Sequence, residues 1–499
     1  MPRALLPLST AFAELIRRAS ARNDRLIARA QLHDNLSAIV QDGRLESLSS
    51  TSFGGVGLQV FLDNGGSALG AVDRLDPEDL PALLEHTSTT ARAMEGQGLD
   101  PVPPASKVAP LRAELAPPGG ARFEDIYPGD FERVLRELGQ EAARSVPDLA
   151  VRVAASITRD AWRIARWDGS DVSFVVPRSQ LLVSVTARGN DGAVTQRDNL
   201  SSGRLDLHTA PNTRKTLLAA TSRAARAARA LIGAPPPPSG SCPLIIDHAL
   251  AKGLAHEALG HAAEADALRA SILATNERYR RGERVASERV SIVDEAIIGD
   301  HAFQPVSAHG IMRRKTVIVR DGRLDEALTD LFSAERAGLP LRGASRAQDY
   351  ACPPIPRMSN IRIELREPRP IPAPWREIDA QTLRDLAGDA GLFDRHREIV
   401  FLSGYTGGQV NPKTGSFVFN SLLSYRLRPG TVELCQPAVF SGSALAALRA
   451  IREGFGPLTL DAIGQCGKAG QHVPSSGGSH AFVFLEADEQ VLVGGRSGP

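Results

Sequence analysis

Four consecutive prolines, Pro235 to Pro238, followed by Ser239 and Gly240, constrain this chain more than any other local feature. Proline fixes φ, lacks a backbone N–H and cannot continue a helix, so the run at 234–241 reads as a stiff, extended connector. It is the main boundary in the chain. With 499 residues, both sides are long enough to bury a core of their own.

Before the boundary, helical and strand-like patterns alternate. Residues 10–32 read as an opening amphipathic helix, and residues 35–61 carry β-type apolar runs broken by DG and GG turn signals. A helix is expected around 76–95, with Asp79 or a neighbour capping it. Residues 96–122, rich in Pro, Gly and Ala, read as a linker. A second α/β segment spans about 125–232. After the boundary comes a short strand and one helix, and then strand-like runs to the end. The expected class is α+β: an N-terminal α/β region followed by a β-rich C-terminal domain carrying one metal-binding helix. The expected segments are 1–122, 123–235 and 236–499.

Composition removes several functions. The formal net charge is +1 and the basic residues are dispersed, so there is no electrostatic footprint for nucleic acid. No apolar stretch approaches eighteen residues, so no membrane partner is expected. The N-terminus lacks a signal-type apolar segment. Cys242, Cys352, Cys435 and Cys466 lie far apart and do not suggest a disulfide framework. A reducing, cytoplasmic setting is expected, where a cysteine can serve as a thiolate ligand.

Chemistry concentrates in His256-Glu257-Ala258-Leu259-Gly260-His261. Neutral imidazole is a favoured zinc ligand, and a carboxylate beside the metal can take a proton from water. In the better-known H-E-x-x-H arrangement the histidines are four apart and share a helix face. Here they are five apart, which at about 100° per residue splays them by roughly 140°. A distorted helix or a helix end is therefore expected between Leu259 and His261, with Gly260 supplying the tolerance. Glu264 and Asp266 read equally as partners orienting the histidines or as solvated helix charges.

A catalytic zinc normally has three protein ligands. Donors for the third are His301, His309, Glu264, Asp266 and the cysteines. Cys466 stands out because it lies in Gly464-Gln465-Cys466-Gly467-Lys468-Ala469-Gly470-Gln471, where glycines allow close approach and Lys468 would favour a thiolate. Cys242, Cys352 and Cys435 read as core or loop residues. A glycine cluster at GGVGLQ, near Gly54, lacks the full nucleotide-binding fingerprint and reads as a turn.

Together, HEALGHAAEAD and the segment from Cys466 to Gln471 resemble the TldD/PmbA family of metallopeptidases. The stretches GGVGLQVF, SVTARGNDGAV, Arg357-Met358-Ser359-Asn360 and GGQVNPKTGSFVF also look like family landmarks. The resemblance implies Zn2+ held by His256, His261 and Cys466, with Glu257 as general base. It also implies a TldD-like catalytic subunit that cleaves unstructured peptides bound along a strand. The partner would be a second copy of this chain or a TldE/PmbA-like paralogue. An acidic family segment is replaced here by Val306-Ser307-Ala308-His309-Gly310, and the stretch from Pro474 to His480 is unusual. Those departures motivate one alternative, an amide hydrolase acting on a small biosynthetic intermediate. A non-catalytic regulatory or binding subunit is the other.

Overall fold

The computed structural model describes residues 2–63, 65–94, 108–119, 122–190 and 192–495. The fold is α+β with a strand-rich C-terminal half. Among the described residues, no helix is long and apolar enough to cross a membrane.

The N-terminal half is built on one seven-stranded sheet in the order Ser67–Val72, Arg44–Phe61, Arg25–Gln41, Ala150–Arg166, Asp171–Gly189, Arg112–Leu115, with Gly192–Ser202 also pairing to Asp171–Gly189. The opening helix is shorter than its pattern suggested. Leu8–Ser20 is helical, but the chain turns at Asn23 (φ 58°) and Arg25 begins a strand. Leu26, Ala28 and Ala30 pack under one face of that strand, with Ile27 on the other, so it is buried on both faces. Segments 1–122 and 123–235 share this sheet, because Arg25–Gln41 pairs antiparallel with Ala150–Arg166. The helix at 80–93 follows a short turn capped by Asp76, whose carboxylate accepts from Glu78 N at 3.0 Å. Of the expected linker, residues 96–107 and 120–121 lie outside the described residues. Arg112–Leu115 is an edge strand parallel to Asp171–Gly189.

The glycine cluster is not a turn. Gly55 and Gly57 lie inside the strand Arg44–Phe61, where a Cβ at Gly57 would come within 2.0 Å of Tyr350 O. Side chains are excluded so that residues 350–352 of the C-terminal half can lie on the sheet, and buried Arg29 donates to Tyr350 O and Cys352 O at 3.3 and 3.0 Å.

The C-terminal half is a twelve-stranded mixed sheet. At its centre Leu244–Asp247, buried at all four positions, lies between Gln471–Leu485 and Ile399–Asn411. One face packs against the helix after Leu244–Asp247, through Leu250, Leu254 and Leu259 against Ile361, Phe417 and Val483. Each such leucine contributes roughly 2 kcal/mol on burial. The other face buries Leu383, Phe455 and Phe482. The hairpin Ile451–Lys468/Gln471–Leu485 has an unusual place: the first strand pairs with the second, and among the described residues its outer edge carries only a single bridge, from Arg369 at Phe455.

Candidate metal centre

Asp247 starts the site helix. Its carboxylate accepts from Ala249 N and Leu250 N at 3.1 and 3.0 Å, and from Gly404 N at 2.6 Å, fixing the helix to the next strand. The helix runs as α over His248–Gly253, changes to π over Leu254–Gly260, and closes with a 3-10 turn at His261–Ala263. The π segment answers the spacing problem. Bonding from i to i+5 brings residues five apart onto one face, and the His261 N–H donates to the His256 carbonyl. The imidazole centroids lie 5.1 Å apart at 86°. The expected distortion is present, but it begins at Leu254 and Gly260 keeps helical dihedrals (φ −57°). Glycine is needed there for space, since a Cβ would fall 2.0 Å from Met358 Sδ.

Cys466 arrives from 205 residues away. It lies on Ile451–Lys468 opposite Val473, and the hairpin turns at Ala469 and Gly470, both with positive φ (50° and 74°). Arg357, fully buried, donates to the Cys466 carbonyl and anchors this strand. Ligand atoms of His256, His261 and Cys466 all lie within 4.8 Å of one another. His261 Nε2 is 3.6 Å from Cys466 Sγ, matching the edge of about 3.6 Å that nitrogen and sulfur span around a tetrahedral zinc. Glu257 Oε2 is 3.9 Å from the same His261 nitrogen.

The surroundings set protonation. Burial, helped by Lys252 and His261, holds His256 well below its usual value, so its imidazole is neutral and able to donate a lone pair. Burial also works against charge on His261, but the Glu264 carboxylate and Cys466 outweigh it and push its pKa well above the usual value. Glu264 Oε2 lies 3.1 Å from His261 Nδ1, which directs Nε2 toward Cys466. Glu264 is buried and pairs with Lys468 at 2.9 Å, and Lys468 also reaches both oxygens of Asp266 at 2.8 Å. These acids are therefore not solvated helix charges, and Lys468 serves them rather than the thiol. Burial raises Glu257 above the ordinary carboxylate range, with His261 and Lys252 opposing.

A sequence model described as the PmbA/TldA metallopeptidase C-terminal domain matches residues 239–466. A metalloprotease of Archaeoglobus fulgidus is 35% identical over 254 residues, half of this chain and 53% of that protein. A metalloprotease TldD homolog of Haemophilus influenzae is 26% identical over 94% of this chain and 92% of its own length. Residues 239–466 are therefore similar to the C-terminal domain of the PmbA/TldD metallopeptidases. A Saccharolobus solfataricus protein, named a zinc metalloprotease TldD homolog, is 27% identical over half of each chain. In the match to the Archaeoglobus protein this chain spans about half of that relative's length. The crystal structure of TldE from Thermococcus kodakarensis shares the fold, with a TM-score of 0.70 at 17% identity, covering 97% of this chain and all of that one.

Other sequence candidates lie apart from the cluster. His309 is buried between the halves, its ring 3.9 Å from Asp330, and its pKa is pushed far down by burial and by Arg29 and Arg166. His301 lines a cavity of about 1110 Å³ between the N-terminal sheet and the site helix. Burial lowers its pKa to about 3, with Arg178 adding to the effect. Cys435 is buried, and Cys242 and Cys352 are half-buried. The cavity reaches Lys252, Tyr405 and the outer edge from Asp461 to Gln465, while His256, Glu257, His261 and Cys466 are not among its lining residues. Lys252 was not singled out from sequence, and Arg357 and Ser475 entered only within longer stretches, with no role of their own. A lysine in an Ala-rich helix and a serine in a Ser/Gly run carry no signal of their own.

Proposed function

We propose that this chain is a zinc-dependent peptidase with Glu257 as general base, hydrolysing amide bonds of unstructured peptides. The observation that carries the reading is the convergence of two imidazoles and one thiol beside a buried carboxylate. The donor set fits zinc: His256 is neutral, His261 is oriented by Glu264, and the 3.6 Å nitrogen–sulfur edge suits tetrahedral geometry. Three protein ligands with no fourth donor in the cluster favour a catalytic over a closed structural site. When bound, zinc would supply Lewis acidity that lowers the pKa of water to about 7.

Glu257 takes the proton from the attacking water at its carboxylate and later delivers it to the leaving amine nitrogen. Burial raises its proton affinity above that of an ordinary carboxylate, which favours both transfers. The outer edge of Ile451–Lys468 offers backbone groups along the cavity, and an extended peptide pairing there would be recognised by its main chain. Unstructured peptides supply such a strand, and a second copy or a TldE-like paralogue is the expected partner. The test is Glu257→Ala. It should keep zinc at the wild-type level while peptide hydrolysis falls by about 10²- to 10⁴-fold. Unchanged cleavage would remove Glu257 as the base.

A further inference from the structure

Lys252 lies four residues before His256 and five before Glu257 on the site helix. It is buried, yet it lines the cavity, and its ammonium donates to Ser475 Oγ at 3.0 Å. An ammonium has three N–H donors, and among the described residues this is the one hydrogen bond it makes. Burial pulls its pKa below the ordinary lysine value. Glu257, Cys466 and Asp300 act on it only through space, unlike the carboxylates that clasp Lys468 directly.

The space beside Nζ is kept open by Gly464. A Cβ there would lie 3.2 Å from Nζ and 3.6 Å from Ser475 Oγ. Gly464 belongs to the outer edge, two residues before Cys466 and directly across the hairpin from Ser475. Lys252 therefore sits beside the edge where a peptide would pair, four residues before His256, and within electrostatic reach of Glu257 and Cys466. A buried cation whose one acceptor is a neutral hydroxyl is costly, so a lysine held in this way calls for a ligand atom that bears negative charge.

We propose that Lys252 is a catalytic residue whose ammonium binds the carbonyl oxygen of the amide under attack, held in place by Ser475. This rests on the peptidase reading above. As the bond between water oxygen and carbonyl carbon forms, the water proton passes to Glu257 and the carbonyl π pair moves onto oxygen beside Nζ. When the C–N bond breaks, that pair returns to remake the carbonyl, and the proton on Glu257 goes to the amine nitrogen. No external oxidant, reductant or co-reactant is needed. The cation meets full negative charge only on the way through the reaction, which is how a preorganised donor raises kcat rather than binding.

The test uses zinc-loaded full-length protein as wild type, Lys252→Met and Ser475→Ala. Each is assayed on a short unstructured fluorogenic peptide and titrated with a phosphinic analogue of the same peptide, whose tetrahedral anion mimics the developing oxyanion. Lys252→Met should retain its zinc, lose about 10²-fold in kcat with KM changed by less than about threefold, and lose phosphinate affinity in parallel. Ser475→Ala keeps the charge and should lose only about 5- to 10-fold in kcat. Wild-type kcat in Lys252→Met, or a loss that merely tracks lost zinc, overturns the assignment. Wild-type protein that cleaves no peptide removes the peptidase reading instead. In that event the phosphinate titration decides for Lys252: weaker binding by the variant supports its role, and equal binding overturns it.

Discussion

Two lysines flank the candidate metal cluster, Lys252 buried and Lys468 half-buried, and their surroundings are opposite. Lys468 is saturated, since Glu264 and both oxygens of Asp266 lie at 2.8–2.9 Å, and through Glu264 it fixes the orientation of His261. Lys252 makes a single hydrogen bond, to a neutral hydroxyl, and faces the cavity. The saturated flank holds ligands still, whereas the unsaturated flank has donors left over for a substrate. The sequence draws attention to Lys468 and not to Lys252, and only their partners separate scaffold from chemistry.

The sharpest way to break this contrast is to remove each charge in turn. Lys468→Met leaves the buried Glu264 and the half-buried Asp266 without their shared cation, and should cost about 3 kcal/mol in apparent stability by urea unfolding. Lys252→Met leaves no carboxylate that was directly paired, so it should unfold at the wild-type midpoint or above it. Equal losses in the two variants would erase the distinction between the flanks.

Glu264→Gln sharpens the same contrast on the saturated side. The amide keeps the shape but weakens the hold on His261 Nδ1. Zinc affinity should fall by about 10- to 100-fold in a competitive chelator titration. Gly260→Ala has the smallest expected effect. Its Cβ must displace the flexible Met358 side chain, costing about 1–3 kcal/mol in unfolding, and it should weaken zinc binding only through movement of His261. A variant as stable as wild type would show that the helix has slack at this point.

Much of the site was legible in advance. The five-residue spacing of His256 and His261 forces a departure from α geometry, and the helix takes its π form there. The sequence also offered Cys466 within a glycine-flanked motif, and the positive φ at Ala469 and Gly470 explains why that motif ends in a tight turn. Other features were not legible for physical reasons. Pairing of Arg25–Gln41 with Ala150–Arg166 joins strands more than a hundred residues apart, and no local pattern encodes it. Gly55 and Gly57 look like turn residues until Tyr350 is seen lying across them. Glu264 and Asp266 could not be told from solvated charges, because Lys468 reaches them only after the hairpin has folded back. The opening helix was overextended because residues 26–31 are buried on both faces of the strand, so the period-2 alternation that marks a strand is missing there.

The most direct measurement is zinc K-edge X-ray absorption on the wild-type protein and on Cys466→Ser. The account predicts one sulfur at about 2.3 Å and two imidazole nitrogens at about 2.0 Å around each zinc, with the sulfur shell gone in the variant. A wild-type spectrum with no sulfur, with two or more sulfurs, or unchanged by the substitution would contradict it.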